Sequence, residues 1–219
     1  MLVLLWSAAL AASDLEKARD AQDRAGLEKM VAALEQKPAG DAKGFYQLAL
    51  AYSYLAEVAQ EQRDKGQVKR AAEAGIRAAE RAVALKPEVA EYHRLLGTLC
   101  GQIVPANVLA GLSYGKRAQE AIARALERDP KSAPAYISRG VGNYYLPQAL
   151  GGGYERALGD FQKAIDLDSK SAEAHLWLGL TLRQLKRNGE ARKALARSLE
   201  LNPSRLWTKQ QLEKTPAAP

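Results

Sequence analysis

The amino-acid sequence predicts an all-α protein, folded as a right-handed α-solenoid of paired helices. The chain of 219 residues is rich in Ala, Leu, Glu, Lys and Arg, which favours helix, and it lacks an alternating Val, Ile and Thr pattern long enough for a strand. Apolar or small residues also recur three and four positions apart in adjoining segments, as in residues 172–203. One helix of that segment carries Leu178, Leu182 and Leu185, and the other carries Ala191, Ala194, Leu195 and Ser198.

Such a helix pair requires a similar pair stacked beside it, because neither apolar stripe is buried by its partner helix alone. The chain contains the neighbours that this requirement predicts. Gly179 follows Gly140 by 39 residues, and Gly140 follows Gly97 by 43 residues. The step from Ser169 to Pro203 is 34 residues. The sequence is therefore an array of repeats, with additions inside some of them.

The last repeat resembles the tetratricopeptide repeat family in its residues and its period. Leu178-Gly179 lies early in the first helix, Ala191 opens the second helix, and Pro203 follows it. The resemblance covers about three quarters of the chain, at a quality that decreases toward the amino terminus, and it implies that the first helices line a concave surface. The two preceding repeats supply Gly140, Ala157, Phe161 and Ala164, and then Gly97, Ala118, Ile122, Ala125 and Pro130, at the matching places.

We therefore predict one solenoid domain over residues 13–219, built from an amino-terminal capping pair and four further helix pairs. The terminal segment should close the last pair, with Trp207 and Leu212 folded back onto it. The predicted repeat units cover approximately residues 13–38, 42–87, 90–130, 133–169 and 172–203, followed by a carboxy-terminal capping segment over residues 204–219.

Residues 1–12, MLVLLWSAALAA, form an uncharged apolar run that ends in small residues. The run is shorter than the roughly 20 residues that a membrane-spanning helix needs. The pattern predicts a secretory signal peptide, so we expect an exported protein, periplasmic or secreted, with no membrane segment after cleavage. No Lys or Arg precedes the run. A misassigned start codon and a packed amino-terminal helix are therefore the alternatives.

The formal charge of +7 is concentrated near the carboxy terminus, where residues 183–214 contain nine Lys or Arg against three Glu. A terminal repeat has a polar outer face because nothing stacks on it, which explains this distribution. The alternative is an electrostatic patch for an acidic protein, an anionic lipid or nucleic acid. We favour the polar face and expect no nucleic-acid partner, because the charges are scattered around the helices and few aromatic residues lie between them.

Three stretches look like additions to the basic repeat. A charged stretch, residues 61–69, separates two helices, whereas residues 101–115 and 145–153 are rich in glycine and apolar residues. We expect all three to be loops, and an apolar loop in water must cover a groove, a ligand or another subunit. Long inserts between paired helices are similar to those in tetratricopeptide proteins associated with periplasmic solute transporters and in regulator of microtubule dynamics proteins.

Counting along the first helix of each repeat predicts the lining of a concave groove. The predicted surface is apolar and aromatic, with two arginines. It lacks the Lys and Asn pattern with which some tetratricopeptide domains hold a terminal carboxylate, which argues against binding of chaperone tails. Packing between helices is the alternative role for several of these side chains. The predicted groove residues are Tyr46, Leu50, Tyr54, Arg94, Gln102, Ile137, Val141, Tyr144, Tyr145, Leu176, Leu180 and Arg183.

No motif in the sequence predicts catalysis, a metal site or a cofactor. Residues 111–115 match G-x-S-x-G, but a nucleophile elbow at Ser113 needs a strand before it and an α/β sheet around it. His93 and His175 occupy the same place in their repeats, and an aromatic residue holds that place elsewhere, which indicates packing. Cys100, the single cysteine, lies in an apolar stripe, so we expect a buried thiol and no intramolecular disulfide.

These observations predict a non-catalytic binding protein. The leading hypothesis is an exported scaffold or adaptor that holds a protein or peptide partner in its concave groove. The alternative is a carrier of an apolar small molecule, enclosed by the inserts, and a third hypothesis is a serine hydrolase that uses Ser113. The apolar inserts are equally suited to contacts within a homo-oligomer.

Overall fold

The computed structural model describes residues 13–36, 40–105 and 108–217, which form helices joined by short turns. The predicted signal peptide, residues 1–12, lies outside the described residues. Those ranges contain no strand, which agrees with the predicted all-α class. The helices are α1 (13–20), α2 (Arg24–Gln36), α3 (Ala42–Glu61), α4 (Lys65–Leu85), α5 (Ala90–Ile103), α6 (Val108–Arg128), α7 (Ala133–Tyr145), α8 (Tyr154–Leu167), α9 (Ala172–Gln184), α10 (Asn188–Leu201) and α11 (Leu206–Glu213).

The helices pack in sequence as pairs. Helix α3 packs on α4, α5 on α6, α7 on α8 and α9 on α10. The first helix of each of these pairs also contacts the first helix of the next, so α3, α5, α7 and α9 form one continuous inner layer. This arrangement is that of an α-solenoid, in which each repeat is stabilised by its neighbours.

Each of the last three pairs is closely packed at one point, where a glycine of the first helix faces a large side chain of the second. A Cβ atom placed on Gly140 would lie 2.6 Å from Cε1 of Phe161, whose ring is completely buried. The absence of a side chain therefore lets the two helices approach each other. The recurring contacts are those of Gly97 with Ile122, Gly140 with Phe161 and Gly179 with Leu195.

The turns that lead into α7 and α9 share one design. In each, an Asp side chain accepts a hydrogen bond from the amide two residues later, and a Ser caps the following helix by accepting from its third residue. These bonds join Asp129 to Lys131 at 3.1 Å, Asp168 to Lys170 at 3.0 Å, Ser132 to Ala135 at 3.3 Å and Ser171 to Ala174 at 3.3 Å.

Most of residues 101–115 is helical, so the prediction of a loop there is wrong. Helix α5 continues to Ile103 and α6 begins at Val108. The side chain of Ile103 is completely buried, and Tyr114 packs against the same core. Burial of these side chains explains why the apolar insertion lengthens two helices rather than forming a loop.

Residues 61–69 also differ from their prediction as a loop. Helix α3 ends at Glu61 and α4 begins at Lys65, with a turn between them in which Arg63 has a φ of 64°. The carboxylate of Asp64 accepts a hydrogen bond from the amide of Gln67 at 2.9 Å and caps α4. Capping and the burial of Val68 in the first turn extend the helix into the charged stretch.

Two main clusters of buried side chains form the core. One lies around Leu55 and joins α1 through α6, and the other lies around Phe161 and Trp177 and joins α7 through α11. Trp207 and Leu212 of α11 pack on the second cluster, which confirms the predicted fold-back of the terminal segment. Among the described helices, none is both long enough and apolar enough to cross a lipid bilayer.

Substitution of Gly140 tests the close helix contact. Gly140→Ala should lower the free energy of unfolding by about 1–3 kcal/mol, because the added methyl group overlaps the buried ring of Phe161. Gly142→Ala is the matched control on the same helix. Nothing lies within 4 Å of a Cβ at Gly142, so that change should raise stability by up to about 1 kcal/mol. Urea unfolding followed by circular dichroism measures both, and equal stabilities for the two variants would contradict the packing argument.

Candidate binding cavity

The inner layer of helices surrounds a cavity of about 1940 Å³. Its walls come from the inner helices α3, α5, α7 and α9, and also from α1, α6, α8 and α11. The short connection after α7 contributes Leu146 and Gly151, and the end of α5 contributes Val104. Two of the predicted inserts therefore border the cavity, one as extended helix and the other as a turn.

The structure places most of the predicted groove residues on the wall of this cavity. They are contributed by three successive inner helices, α3, α5 and α7, which agrees with the expectation that first helices face inward. Their role in binding stays a prediction. The predicted residues on the wall are Tyr46, Leu50, Tyr54, Arg94, Gln102, Ile137, Val141 and Tyr145.

Four predicted groove residues lie elsewhere. Leu176 and Leu180 are 0% and 3% exposed and belong to the core between α9 and its neighbours. The Tyr144 hydroxyl accepts a hydrogen bond from Gln184 Nε2 at 3.0 Å, away from the cavity wall. Arg183 donates to Gln211 Oε1 at 3.0 Å and fixes the end of the chain. None of these four residues lines the cavity.

In their place, α9 presents Glu173 and Trp177 to the cavity. Each of them lies three positions before a predicted residue, Leu176 or Leu180, so the side of α9 that faces the cavity is rotated by about 60° from the predicted one. Helix α9 is apolar around most of its circumference, so periodicity alone does not reveal which face points inward. The available signal was the i, i+4 spacing of Glu173 and Trp177, whose Oε1 and Nε1 atoms form a hydrogen bond of 2.7 Å.

Trp177 is the centre of an aromatic wall. Its ring lies edge-on to Tyr144, Tyr145 and Trp207, at centroid distances of 5.6, 6.2 and 5.7 Å, and it is stacked on Phe161 at 6.2 Å. Tyr145, Trp177 and Trp207 line the cavity. The wall joins α7, α8, α9 and α11, so residues far apart in the sequence form one apolar surface.

Helix α5 contributes a half-buried ion pair to the cavity wall. The guanidinium of Arg94 donates to Glu91 at 2.5 and 2.6 Å, and the Tyr46 hydroxyl donates to the same carboxylate at 3.0 Å. Burial and the neighbouring Glu91 raise the pKa of Tyr46 above its ordinary value. Next to this pair, the hydroxyls of Thr98 and Ser138 form a hydrogen bond of 2.9 Å between α5 and α7. The polar groups of the wall are thus held in fixed positions.

A second polar group connects α7 and α8 at the cavity. Arg139 donates to Oδ1 of Asp160 at 2.6 Å, and Asn143 donates to Oδ2 at 2.8 Å. Asp160 is 6% exposed, so its charge is paired with Arg139 rather than with water, and Asn143 supplies a hydrogen bond to its second oxygen. The guanidinium of Arg139 also lies 4.9 Å from the ring centre of Tyr136.

The beginning and the end of the chain meet at one side of the cavity, through Arg205. Its side chain is 2% exposed and pairs with Glu57 at 2.6 Å, with Glu61, and with Asp20 at 3.7 Å. Nearby, Asn202 Nδ2 donates to Asp20 Oδ2 at 2.8 Å. These contacts join α1 and α3 to the segment before α11 and close the solenoid laterally. In the sequence, Arg205 belongs to a basic segment predicted to be solvated; the structure shows that this is wrong for Arg205, whose burial no local pattern indicates.

Burial raises the pKa of Glu57 to about 7, against the opposing effect of Arg205 and Arg19. Glu173 and Glu61 add to the increase, because neighbouring negative charges disfavour a further one. Burial likewise raises the pKa of Glu61. The closing contact therefore contains one carboxyl group that titrates near neutral pH, that of Glu57, and a second, that of Glu61, whose pKa is raised.

The remaining arginines near the carboxy terminus form local contacts. Arg187 pairs with Glu190 at 2.6 Å and Arg197 with Glu200 at 2.9 Å, both exposed. Arg192 donates to the carbonyl oxygen of Thr215 at 2.7 Å. This distribution favours the predicted polar outer face over a single electrostatic patch.

The residues of the candidate catalytic and metal-binding motifs lie in helix α6 and beside the turns between helices. Ser113 lies within helix α6, with helix rather than a strand before it in the part of the chain described. The ring nitrogens of His93 and His175 contact the carbonyl oxygens of Pro87 and Ser169, at 2.7 and 3.3 Å, in equivalent turns. Within the described ranges, no group of three or more His, Cys, Asp or Glu side chains is arranged to hold a metal ion.

Two protein-family models match this chain. A tetratricopeptide repeat model matches residues 151–205, and the fold places this chain among tetratricopeptide solenoids, as the sequence predicted. A second model, described as regulator of microtubule dynamics protein 1-3, matches residues 8–149, more than half of the chain. The chain therefore belongs to the regulator of microtubule dynamics protein 1-3 family. No curated protein sequence matches it.

Two solved structures show the same fold at low sequence identity. A thermophilic tetratricopeptide protein of Thermus thermophilus has 17% identity and a TM-score of 0.59, over 97% of this chain and 94% of that one. The HusA haemophore of Porphyromonas gingivalis has 18% identity and a TM-score of 0.63, over 81% of this chain and 93% of that one. At these identities the likeness concerns the fold.

The burial of Cys100 gives a simple chemical prediction. Its side chain is 0% exposed and burial raises its pKa to about 11, so almost no thiolate is present at pH 8. In the native protein, a thiol reagent such as dithionitrobenzoate should react at least about a hundredfold more slowly than in guanidinium, where the thiol has its ordinary pKa. The single cysteine makes the assay unambiguous. Equal rates in the two solvents would show that this part of the core is open.

Proposed function

We propose that this protein is an exported, non-catalytic scaffold that binds an extended segment of a partner protein in the inner cavity. A role as an interaction scaffold is the general property of the tetratricopeptide fold. The more specific parts of the proposal are the site, the extended form of the bound segment, and export.

The size of the cavity carries the proposal. Sites for small molecules commonly measure roughly 300–1,000 Å³, whereas this cavity measures about 1940 Å³. It also extends past inner helices from successive repeats, from Tyr46 on α3 to Trp177 on α9. A volume of this size and length fits several residues of a polypeptide better than a single compact ligand.

The lining suits a peptide chain. Apolar side chains such as Leu50, Ile137 and Val141 share the wall with amide groups, including those of Gln47 and Gln119. Amides can pair with the backbone of an extended segment, while the apolar positions receive its side chains. The charged groups of the wall are largely paired internally, as in Glu91 and Arg94, so recognition need not rest on a terminal carboxylate.

A carrier of an apolar small molecule is the second candidate, favoured by the aromatic wall. Tyr145, Trp177 and Trp207 gather at one end of the cavity, next to Leu146 and Gly151 of the short connection. Aromatic side chains gathered in this way offer a large apolar contact area to ring compounds. The HusA haemophore, a protein named for binding haem, has the same fold.

The proposal of export rests on residues 1–12 alone. Their apolar character and small terminal residues are typical of a signal peptide. In the native host, amino-terminal sequencing of the purified protein should begin near Ser13 if the segment is cleaved. A retained Met1, together with recovery in the cytoplasmic fraction, would contradict export and leave the binding proposal unchanged.

Site-specific photo-crosslinking tests the binding site. We expect p-benzoylphenylalanine at position 141, in place of Val141, to form a covalent adduct with a partner polypeptide in the native host. The same residue in place of Lys193, which is exposed on α10, is the matched control and should form none. Native mass spectrometry of the protein without the crosslinking residue tests the alternative, a bound small molecule. A retained small molecule without any polypeptide adduct at position 141 would favour the carrier and overturn the scaffold.

A further inference from the structure

We propose that the contact of Arg205 with the carboxylates of α1 and α3 is a reversible latch that closes the solenoid and opens it laterally to admit a ligand. The closed contact joins parts of the chain that are 144 and 148 residues apart, Glu61 and Glu57 on one side and Arg205 on the other. Entry of a ligand through the open latch rests on the proposed function, whereas the opening of the latch does not.

The latch is polar, unlike the core on either side of it. In the described residues, the hydrogen bonds and ion pairs across it involve Asp20, Glu57 and Glu61 with Asn202 and Arg205. Water can replace such bonds when the surfaces separate, so a typical one contributes little net free energy. The side-chain amides of Gln22 and Gln210 add a further polar contact at 3.2 Å.

Opening of the latch would leave both parts of the core intact. The apolar side chains of α11, Trp207 and Leu212, pack on the carboxy-terminal cluster, and Leu15 of α1 packs on the amino-terminal cluster. The two ends therefore belong to separate buried clusters, which meet at this side of the cavity through polar groups. A separation there widens the opening of the cavity without unfolding a helix pair.

The charges of the latch are unbalanced, which explains why it can open. Two guanidinium groups, those of Arg19 and Arg205, face four carboxylates: Asp20 on α1, Glu57 and Glu61 on α3, and Glu173 on α9. The excess negative charge repels itself in a site from which most water is excluded. Protonation of one carboxyl relieves this repulsion and still leaves carboxylates to pair with Arg205.

The direction of the pH effect follows from proton linkage. In the closed state the pKa of Glu57 is raised to about 7, while in the open state, in water, it should return to its ordinary value of 4.5. The closed state therefore binds more protons, and a fall in pH favours closure. From pH 6 to pH 8, the ratio of open to closed protein should rise about tenfold from this group alone. Glu61, whose pKa burial also raises, acts in the same direction.

Distance measurement between the two sides of the latch tests opening without any ligand. In the full chain with Cys100→Ala, nitroxide labels on Lys17→Cys and Lys209→Cys report the separation of α1 and α11 by double electron–electron resonance. Both lysines are exposed. We expect one short distance at pH 6 and a growing population of longer distances at pH 8. Arg205→Met should give the longer distances at both pH values, and Lys193→Met, an exposed cation on α10, should behave as wild type.

Arg205→Met is uninformative if it does not fold, which would appear as a loss of its helical circular dichroism signal. A second variant provides the test in that case. Glu57→Gln removes the titrating charge but keeps an oxygen for Arg205, so it should remain closed from pH 6 to pH 8. Glu213→Gln, exposed on α11, is its control and should keep the wild-type pH response. The latch is wrong if folded Arg205→Met shows only the short distance, or if Glu57→Gln keeps the wild-type pH dependence.

The same variants separate the latch from the scaffold function. If the latch admits the ligand, crosslinking from position 141 should increase from pH 6 to pH 8 in the wild type and stay low in Glu57→Gln. Distance changes without any polypeptide adduct would support the latch proposal and contradict the proposed scaffold function. If adducts form equally in the wild type and in closed Glu57→Gln, the ligand does not enter through the latch. That result would contradict this part of the proposal and support the scaffold function.

Discussion

The three later helix pairs depend on a contact between a glycine and a large buried side chain. Because Gly140 has no Cβ atom, the ring of Phe161 can lie directly against the backbone of α7. The same approach recurs at Gly97 and Gly179. A repeated short distance between helices gives each repeat a similar shape, and stacking of similar repeats curves the inner layer. The cavity is the space that this curvature leaves.

Closure of the solenoid gives the cavity a different character from an open concave groove. An open solenoid exposes its inner face along its whole length, whereas here Arg205 connects the last turn of the array to α1 and α3. Trp207, two residues after Arg205, packs beside Trp177 on the carboxy-terminal cluster and completes the aromatic wall. The buried guanidinium of Arg205 therefore lies between the lateral contact and the lining of the cavity.

Polar groups are distributed unequally around the cavity. The Arg94 and Glu91 pair and the Arg139 and Asp160 pair each balance one charge with another, and such pairs fix the relative positions of helices rather than add much stability. The cluster around Arg205 is not balanced in this way. Fixed groups on one side and titratable groups on the other are consistent with a wall that stays rigid and a side that opens.

The amino-acid sequence was enough to predict the all-α class, the tetratricopeptide repeats with their recurring glycines, and eight of the residues on the cavity wall, because these depend on periodicity and short spacings. It did not determine the inward face of α9, since Leu176, Trp177 and Leu180 make that helix apolar on several sides. It also gave no sign of the contact between Glu57 and Arg205. Lateral closure results from small rotations summed over all repeats, so only the complete tertiary structure decides which distant side chains meet.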